Sequence, residues 1–207
     1  MAIEAVIFDI GNVLVEWHPL REFDRLLGEA RRKELFANVD LMGMNDRVDL
    51  GADMPTLVRE LAAAHPEYHD EVLLWEKHWI DMLSPDIPHS ARMLRALRAK
   101  GVPTYALSNF GKGTLSLADQ HFPILKEFDH RFVSGHLALM KPDPAIYVHV
   151  EQTLPQFAPQ SLFFIDDRAD NIAAATARGW QGHLFQHPEG LAERLIHEGL
   201  LSAAEAT

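Results

Sequence analysis

Five short apolar runs recur along the chain, and each is followed by polar residues. The runs cover residues 5–8, 102–107, 131–133, 162–165 and 182–185. A continuous hydrophobic segment of this length is typical of a strand that is buried on both faces of a parallel sheet. Helical patterns lie between the runs, for example over residues 91–100 and 171–178. Strands that alternate with helices predict an α/β fold with a parallel sheet.

One long segment interrupts this alternation. Residues 20–88 show apolar positions at helical spacing and no convincing buried strand. One helix in this segment is capped by Asp53, and a second helical pattern extends from Trp75 to Leu83. We therefore expect a core domain formed by residues 1–19 and 89–207, and a helical lid formed by residues 20–88.

Composition and charge narrow the classes of function. The chain of 207 residues is 47% hydrophobic, so it can bury a substantial core and fold alone. It contains no cysteine, which excludes disulfides, thiolate metal sites and a cysteine nucleophile. A formal net charge of -11 and the lack of a basic stripe argue against a nucleic-acid partner. The sequence has no long apolar run and no basic, apolar leader, so we expect a cytoplasmic protein without a membrane segment.

The first apolar run leads directly into Asp9, which is followed by Gly11 and Asn12. Ligands of open α/β sheets bind outside the carboxyl ends of the strands, so Asp9 is placed where a nucleophile can act. A single Asp after a strand also commonly caps a turn. Its role therefore depends on the residues that follow the other strands.

Two further loops carry groups that bind anions. Ser108 and Asn109 follow the second apolar run, and a hydroxyl with adjacent backbone N–H groups at a strand end can bind an anionic oxygen. Lys141 precedes a helix that begins near Asp143. A lysine there is either solvated or, alternatively, holds the nucleophile ionised and neutralises a bound anion.

Asp166 and Asp167 follow the apolar run of residues 162–165. Two consecutive carboxylates repel each other and lose solvation on folding, and a divalent cation relieves both costs. Mg²⁺ prefers an octahedral shell of oxygens, which Asp9, Asp167 and the Gly11 carbonyl can help to supply. Alternatively, the pair is a negatively charged helix start that the helix dipole stabilises.

Taken in chain order, four segments resemble the four signature motifs of the haloacid dehalogenase superfamily. They are Phe8-Asp9-Ile10-Gly11-Asn12-Val13, Leu107-Ser108-Asn109, Lys141-Pro142 and Ile165-Asp166-Asp167. The resemblance implies a Rossmann-like parallel-sheet core with an inserted four-helix cap of the C1 type. It also implies that Asp9 is the nucleophile, that Ser108 binds phosphate and that Lys141 neutralises charge.

The fourth motif separates two chemistries within this superfamily. Magnesium-dependent phosphatases carry acidic residues there, whereas metal-free 2-haloacid dehalogenases carry a serine and asparagine pattern. Asp166 and Asp167 therefore resemble the phosphatase motif. By this resemblance Asp167 is a direct metal ligand, Asp166 ligates or orients bound water, and Asp9 and the Gly11 carbonyl complete the protein ligands.

The first motif departs from the usual phosphatase pattern at Gly11. Most such enzymes have a second Asp two residues after the nucleophile, which protonates the leaving oxygen and later activates water. General acid–base assistance is worth about 10²–10⁴ in rate, so its loss favours substrates with good leaving groups unless another residue supplies the proton. A first motif with glycine at this position resembles a bacterial subgroup that includes an α-D-glucose-1-phosphate phosphatase.

Three functions remain open at this point. The leading hypothesis is Mg²⁺-dependent hydrolysis of a small phosphorylated metabolite, such as a sugar phosphate, through a phospho-Asp9 intermediate. The alternatives are a metal-free 2-haloacid dehalogenase and a noncatalytic phosphate-ligand binding protein. The pattern is compatible with a monomer or a homodimer. The candidate substrate-binding residues are Gly11, Asn12, Trp17, Arg47 and Asn109.

Overall fold

The computed structural model describes residues 2–207, which form seven strands. They are β1 (Ala5–Phe8), β2 (Val15–Trp17), β3 (Leu83–Asp86), β4 (Thr104–Ser108), β5 (His130–Val133), β6 (Leu162–Asp166) and β7 (Gln181–Leu184). Five of them form one sheet in the order β5-β4-β1-β6-β7, and every pairing in it is parallel. The predicted α/β class with a parallel sheet is therefore confirmed.

Twelve α-helices connect and cover the strands of residues 2–207. They are α1 (Pro19–Leu27), α2 (Glu29–Asn38), α3 (Leu41–Asp49), α4 (Met54–Ala64), α5 (His69–Lys77), α6 (Trp79–Met82), α7 (Pro88–Ala99), α8 (Lys112–His121), α9 (Ser134–Leu137), α10 (Pro144–Thr153), α11 (Ala169–Ala177) and α12 (Pro188–His197). None of them is long and apolar enough to cross a membrane.

The position of β1 at the centre of the sheet explains why its sequence is continuously apolar. Successive side chains of a strand point to opposite faces of the sheet. Val6 and Phe8 belong to one hydrophobic cluster, whereas Ala5 and Ile7 belong to the other, and all four are fully buried. A polar residue in this strand would lose its water on either face, so the polar residues begin where the strand ends.

The long insertion is helical, as predicted, but its elements differ from the prediction. Residues 19–82 contain six helices, α1 to α6, where the family resemblance implied four. The chain breaks between α1 and α2 at Gly28, whose φ of 77° is accessible to glycine at little cost. Asp53 caps α4 as expected, because its carboxylate accepts a hydrogen bond from the Thr56 N–H at 3.1 Å.

The segment of residues 20–88 also contains a strand that was not predicted. The pattern from Trp75 to Leu83 is divided between α5 and α6, and Leu83 begins β3. This strand pairs in antiparallel fashion with β2, through Trp17 opposite Leu83, so the chain enters and leaves the insertion side by side. The division into a core of residues 1–19 and 89–207 and a lid of residues 20–88 stays a prediction.

Candidate active site

Three adjacent strands deliver polar residues to one edge of the sheet. Asp9 directly follows β1, Ser108 ends β4 and Asp166 ends β6. Because β1 lies between β4 and β6 and all three are parallel, these side chains converge. Lys141, in the loop between α9 and α10, reaches the same cluster. The structure thus brings together residues that the sequence places in four separate loops.

Asp9 is 7% exposed and is held through one of its carboxylate oxygens. Its Oδ1 accepts hydrogen bonds from the Ile10 N–H and the Ser108 hydroxyl, both at 2.7 Å, and lies 3.0 Å from Lys141 Nζ. Burial raises the pKa of Asp9 to about 7, against the opposing effect of Lys141, and the nearby Asp166 raises it further. Oδ2 accepts no hydrogen bond from residues 2–207, so it is free to bind a cation or to attack an electrophile.

Lys141 supplies a buried positive charge between two carboxylates. It is 2% exposed, and its Nζ lies 2.7 Å from Asp166 Oδ2 as well as 3.0 Å from Asp9 Oδ1. Burial lowers the pKa of Lys141, but the two carboxylates raise it by more, so the pKa lies above its usual value. Asn109 fixes the lysine backbone, because its side chain donates to Lys141 O at 2.9 Å and accepts from Lys141 N at 2.8 Å.

Asp166 is fully buried, and protein donors surround its carboxylate. In addition to Lys141, the Arg168 N–H donates to Oδ1 at 2.8 Å, and the Asn171 amide donates at 2.9 and 3.0 Å. Buried charges of this kind are stable when they are paired and fully hydrogen-bonded. These hydrogen bonds hold the Asp166 carboxylate in place, and the carboxylate in turn orients the Lys141 ammonium.

The acidic residues form a group with the chemistry of a magnesium site. Asp9, Asp166 and Asp167 each offer one oxygen, and these oxygens lie within 4.8 Å of one another. Three carboxylates and the single ammonium of Lys141 leave two negative charges, which one divalent cation neutralises. The Gly11 carbonyl accepts no hydrogen bond within residues 2–207, so it is available as a further oxygen ligand.

Two asparagines support this interpretation of the acidic group. Asn171 Oδ1 is buried beside the site without a hydrogen-bond partner among residues 2–207, as expected for a group that accepts from a metal-bound water. The Asn12 side chain donates to Asp167 Oδ2 at 2.9 Å and accepts from the Trp17 N–H at 2.8 Å. Asn12 has a φ of 56°, a left-handed conformation that asparagine tolerates better than most residues.

Asp9 and Asp167 line a cavity of about 560 Å³ between the sheet edge and the inserted helices. Four of the five candidate substrate-binding residues line it: Gly11, Asn12, Trp17 and Asn109. The fifth, Arg47, is exposed and lies outside the cavity wall. The residues of α3 that line the cavity are Met42, Asn45, Asp46 and Asp49. Asn45 and Asp49 lie four residues apart on one helix face.

Asp49 is an acidic residue of the cavity wall that the sequence motifs did not indicate. Burial raises the pKa of Asp49 to about 7, and the negative charge of Asp46 raises it further. Its carboxylate accepts a hydrogen bond from the Asn45 amide at 3.0 Å. The spacing of Asn45 and Asp49 was visible in the sequence, but which face of α3 points to the cavity depends on how the helix docks.

Comparison with known proteins places the chain in a family. Its sequence matches the model of the haloacid dehalogenase-like hydrolases over residues 3–179. Sesquiterpene phosphatase astK of Aspergillus oryzae is 27% identical over 187 residues, which cover 86% of this chain and 88% of that protein.

Solved structures show the same fold at low sequence identity. The HAD family enzyme bt-2542 of Bacteroides thetaiotaomicron has a TM-score of 0.70 and 21% identity, and the match covers 90% of this chain and 95% of that one. Its structure in complex with magnesium and inorganic phosphate gives a TM-score of 0.67 at 20% identity. L-2-haloacid dehalogenase of Xanthobacter autotrophicus, with chloropropionic acid covalently bound, has a TM-score of 0.60 and 21% identity over 99% of this chain and 86% of that one.

The family match covers most of the chain and includes all four polar loops that converge on Asp9. The chain therefore belongs to the haloacid dehalogenase-like hydrolases.

Proposed function

We propose that this protein is a Mg²⁺-dependent phosphatase that hydrolyses a small phosphate monoester through a phospho-Asp9 intermediate. The observation that carries the proposal is the buried cluster of Asp9, Lys141, Ser108 and the acidic pair at one sheet edge. The 27% identity to a sesquiterpene phosphatase supports it, and so does the structural similarity to an enzyme solved with magnesium and phosphate.

The residues of the site have distinct roles in this reaction. Asp9 attacks phosphorus, the leaving alcohol departs, and water then hydrolyses the acyl phosphate. Ser108 and the backbone N–H groups of the loop bind the phosphoryl oxygens, and Lys141 offsets their charge. Asp9, Asp167 and the Gly11 carbonyl hold Mg²⁺, with Asp166 as a further ligand or as the residue that orients its water. When bound, the cation supplies the positive charge that an anionic substrate needs in this acidic site.

The cavity wall favours a leaving group with apolar surface. Trp17 and Trp79 lie with their ring centroids 5.5 Å apart, and Leu83, Phe110 and Met140 also line the cavity. Buried aromatic and aliphatic side chains of this kind bind apolar ligand surface. A terpenoid monophosphate is therefore a second candidate substrate. The first candidate, a sugar phosphate, is favoured by the resemblance of the first motif to the glucose-1-phosphate phosphatase subgroup.

Two alternative functions can be distinguished from the proposed one by assays on the same protein preparation. A 2-haloacid dehalogenase uses the same fold and would release halide from 2-chloropropionate in EDTA. A noncatalytic binding protein would bind phosphorylated ligands without turnover. The acidic pair at Asp166 and Asp167 argues against the first, and the intact nucleophile cluster around Asp9 argues against the second.

A substrate screen tests the proposal. Phosphate release is measured on glucose 1-phosphate, farnesyl monophosphate and other phosphorylated metabolites, with Mg²⁺ or with EDTA. We expect turnover of at least one monoester that requires Mg²⁺ and is lost in Asp9→Asn. Turnover that is equal in EDTA, or undiminished in Asp9→Asn, would contradict the mechanism.

A further inference from the structure

The nucleophile loop lacks a proton donor, although the space for one exists. A Cβ placed on Gly11 would meet only Trp17 Cβ at 3.8 Å, which is an ordinary van der Waals contact, so the backbone position itself does not require glycine. The acidic residue nearest in sequence, Glu16, bonds to Arg21 at 2.6 Å and is not part of the cavity wall. A proton donor for a leaving oxygen must therefore come from another element.

Asp49, the last residue of α3, lines the same cavity as Asp9. Its carboxylate accepts a hydrogen bond from the Asn45 amide at 3.0 Å. The other end of that amide, Asn45 Oδ1, is buried in the cavity wall and has no hydrogen-bond partner among residues 2–207. Buried polar atoms without partners are rare, so this oxygen is suited to accept a hydrogen bond from a substrate or a water beside Asp49.

Burial and the neighbouring negative charges raise the pKa of Asp49. Burial raises the pKa of Asp49 to about 7, the charge of Asp46 on the same helix and that of Asp9 on the core raise it further, and the Gly111 N–H opposes them. Asp49 forms no ion pair with a lysine, arginine or histidine of residues 2–207. A general acid is most effective when its pKa lies near the working pH.

Close backbone packing holds Asp49 against the core. The Ser134 hydroxyl donates to the Asp49 carbonyl at 2.6 Å. A Cβ on Gly111 would lie 2.7 Å from Val48 Cγ1, and a Cβ on Gly51 would lie 2.7 Å from the Gly135 carbonyl. The end of α3 therefore approaches the loop after β4 more closely than larger residues would permit. These contacts anchor Asp49 to the core, although Asp49 belongs to the inserted helices.

We propose that Asp49 is the general acid and base that replaces the acid missing at Gly11. The assignment rests on the proposed phosphatase function. In the first step Asp9 forms a bond to phosphorus, the bond from phosphorus to the ester oxygen breaks, and the Asp49 carboxyl gives its proton to that oxygen. In the second step water attacks phosphorus, the Asp49 carboxylate takes a proton from it, and the bond to Asp9 breaks. The products are the alcohol and inorganic phosphate, and both aspartates return to their starting forms.

The dependence on the leaving group tests this role. Wild type and Asp49→Asn are compared on an alkyl phosphate, which needs a proton at the leaving oxygen, and on p-nitrophenyl phosphate, which does not. We expect kcat/KM of Asp49→Asn to fall by about 10²–10⁴ on the alkyl phosphate and by less than about tenfold on p-nitrophenyl phosphate. Equal losses on both substrates would show a structural role and overturn the assignment.

A rescue variant and a control complete the experiment. Adding Gly11→Asp to Asp49→Asn should restore at least about tenfold of the lost kcat/KM on the alkyl phosphate, because it places a carboxyl two residues after the nucleophile, where a Cβ meets only Trp17 Cβ at 3.8 Å. Glu60→Gln, which removes an exposed carboxylate of α4 outside the cavity wall, should change kcat/KM by less than about threefold on both substrates. A loss in Glu60→Gln that is as large and as specific to the alkyl phosphate as the loss in Asp49→Asn would overturn the proposal. A wild type inactive on every phosphate ester would instead refute the proposed phosphatase function, and this assignment with it.

Discussion

Replacing Asp49 with asparagine should stabilise the protein at alkaline pH and not at acid pH. In the folded protein the pKa of Asp49 is raised by burial from 3.8 to about 7, so the native state holds its proton more tightly than the unfolded chain does. The free energy of unfolding therefore falls as the pH rises from about 4 to about 7, and the full loss is present above pH 7. Asparagine does not ionise, so the variant lacks this loss.

The size of this stabilisation follows from the shift in the pKa of Asp49. A change of about three pKa units corresponds to about 4 kcal/mol, at about 1.36 kcal/mol per unit. The Asp49 side chain is only partly shielded from water, so solvent screening reduces this upper limit, and we expect a gain of about 2 kcal/mol at pH 8. For a chain of this size the gain corresponds to a rise in Tm of about 4–8 °C.

Denaturation at several pH values measures this gain. Wild type and Asp49→Asn are unfolded thermally in EDTA between pH 4.5 and 8.5, with the variant of an exposed carboxylate, Asp86→Asn, as the control. The difference in Tm between Asp49→Asn and wild type should widen up to about pH 7 and then stay constant, while the control should show no such trend. Parallel curves for Asp49→Asn and wild type would refute the electrostatic reasoning.

Three further substitutions test the packing and charge of the site. Lys141→Met leaves Asp166 buried without its ammonium partner, so we expect a loss of about 3–5 kcal/mol of stability in urea denaturation and no turnover. Gly111→Ala places a Cβ 2.7 Å from Val48 Cγ1 and should cost about 1–3 kcal/mol in the same assay, with a lower kcat because the end of α3 shifts. Asn12→Gly keeps the left-handed backbone but removes the amide that donates a hydrogen bond to Asp167, so calorimetry should show Mg²⁺ affinity reduced by about tenfold or more.

Much of the site was predictable from the sequence because sheet geometry brings strand ends together. Asp9, Ser108 and Asp166 each follow or end a buried strand, and the carboxyl ends of parallel strands meet at one edge. The apolar runs themselves are visible because residues of β1 such as Ile7 and Phe8 are buried on both faces of the sheet. The sequence shows where each strand ends, and the parallel sheet brings these ends together, so the convergence of the polar residues could be expected.

The inserted helices were less predictable because their orientation depends on tertiary contacts. Arg47 was expected near the substrate, whereas α3 turns Asn45 and Asp49 toward the cavity. The docking of α3 depends on close approaches at glycines such as Gly111, which no periodicity reveals. The strand β3 was missed because only Leu83 in it is buried, so its sequence lacks the apolar alternation of a strand.

Every other role in the site depends on Asp9 accepting the phosphoryl group, and trapping the intermediate tests this step. Wild type and Asp9→Asn are mixed with a turned-over, radiolabelled monoester and Mg²⁺, quenched in acid within milliseconds and digested, and the labelled peptide is identified by mass spectrometry. We expect an acyl phosphate, cleavable by hydroxylamine, on the wild-type peptide that contains Asp9, and no label in Asp9→Asn. Label on another residue, or phosphate release by Asp9→Asn at the wild-type rate, would contradict it.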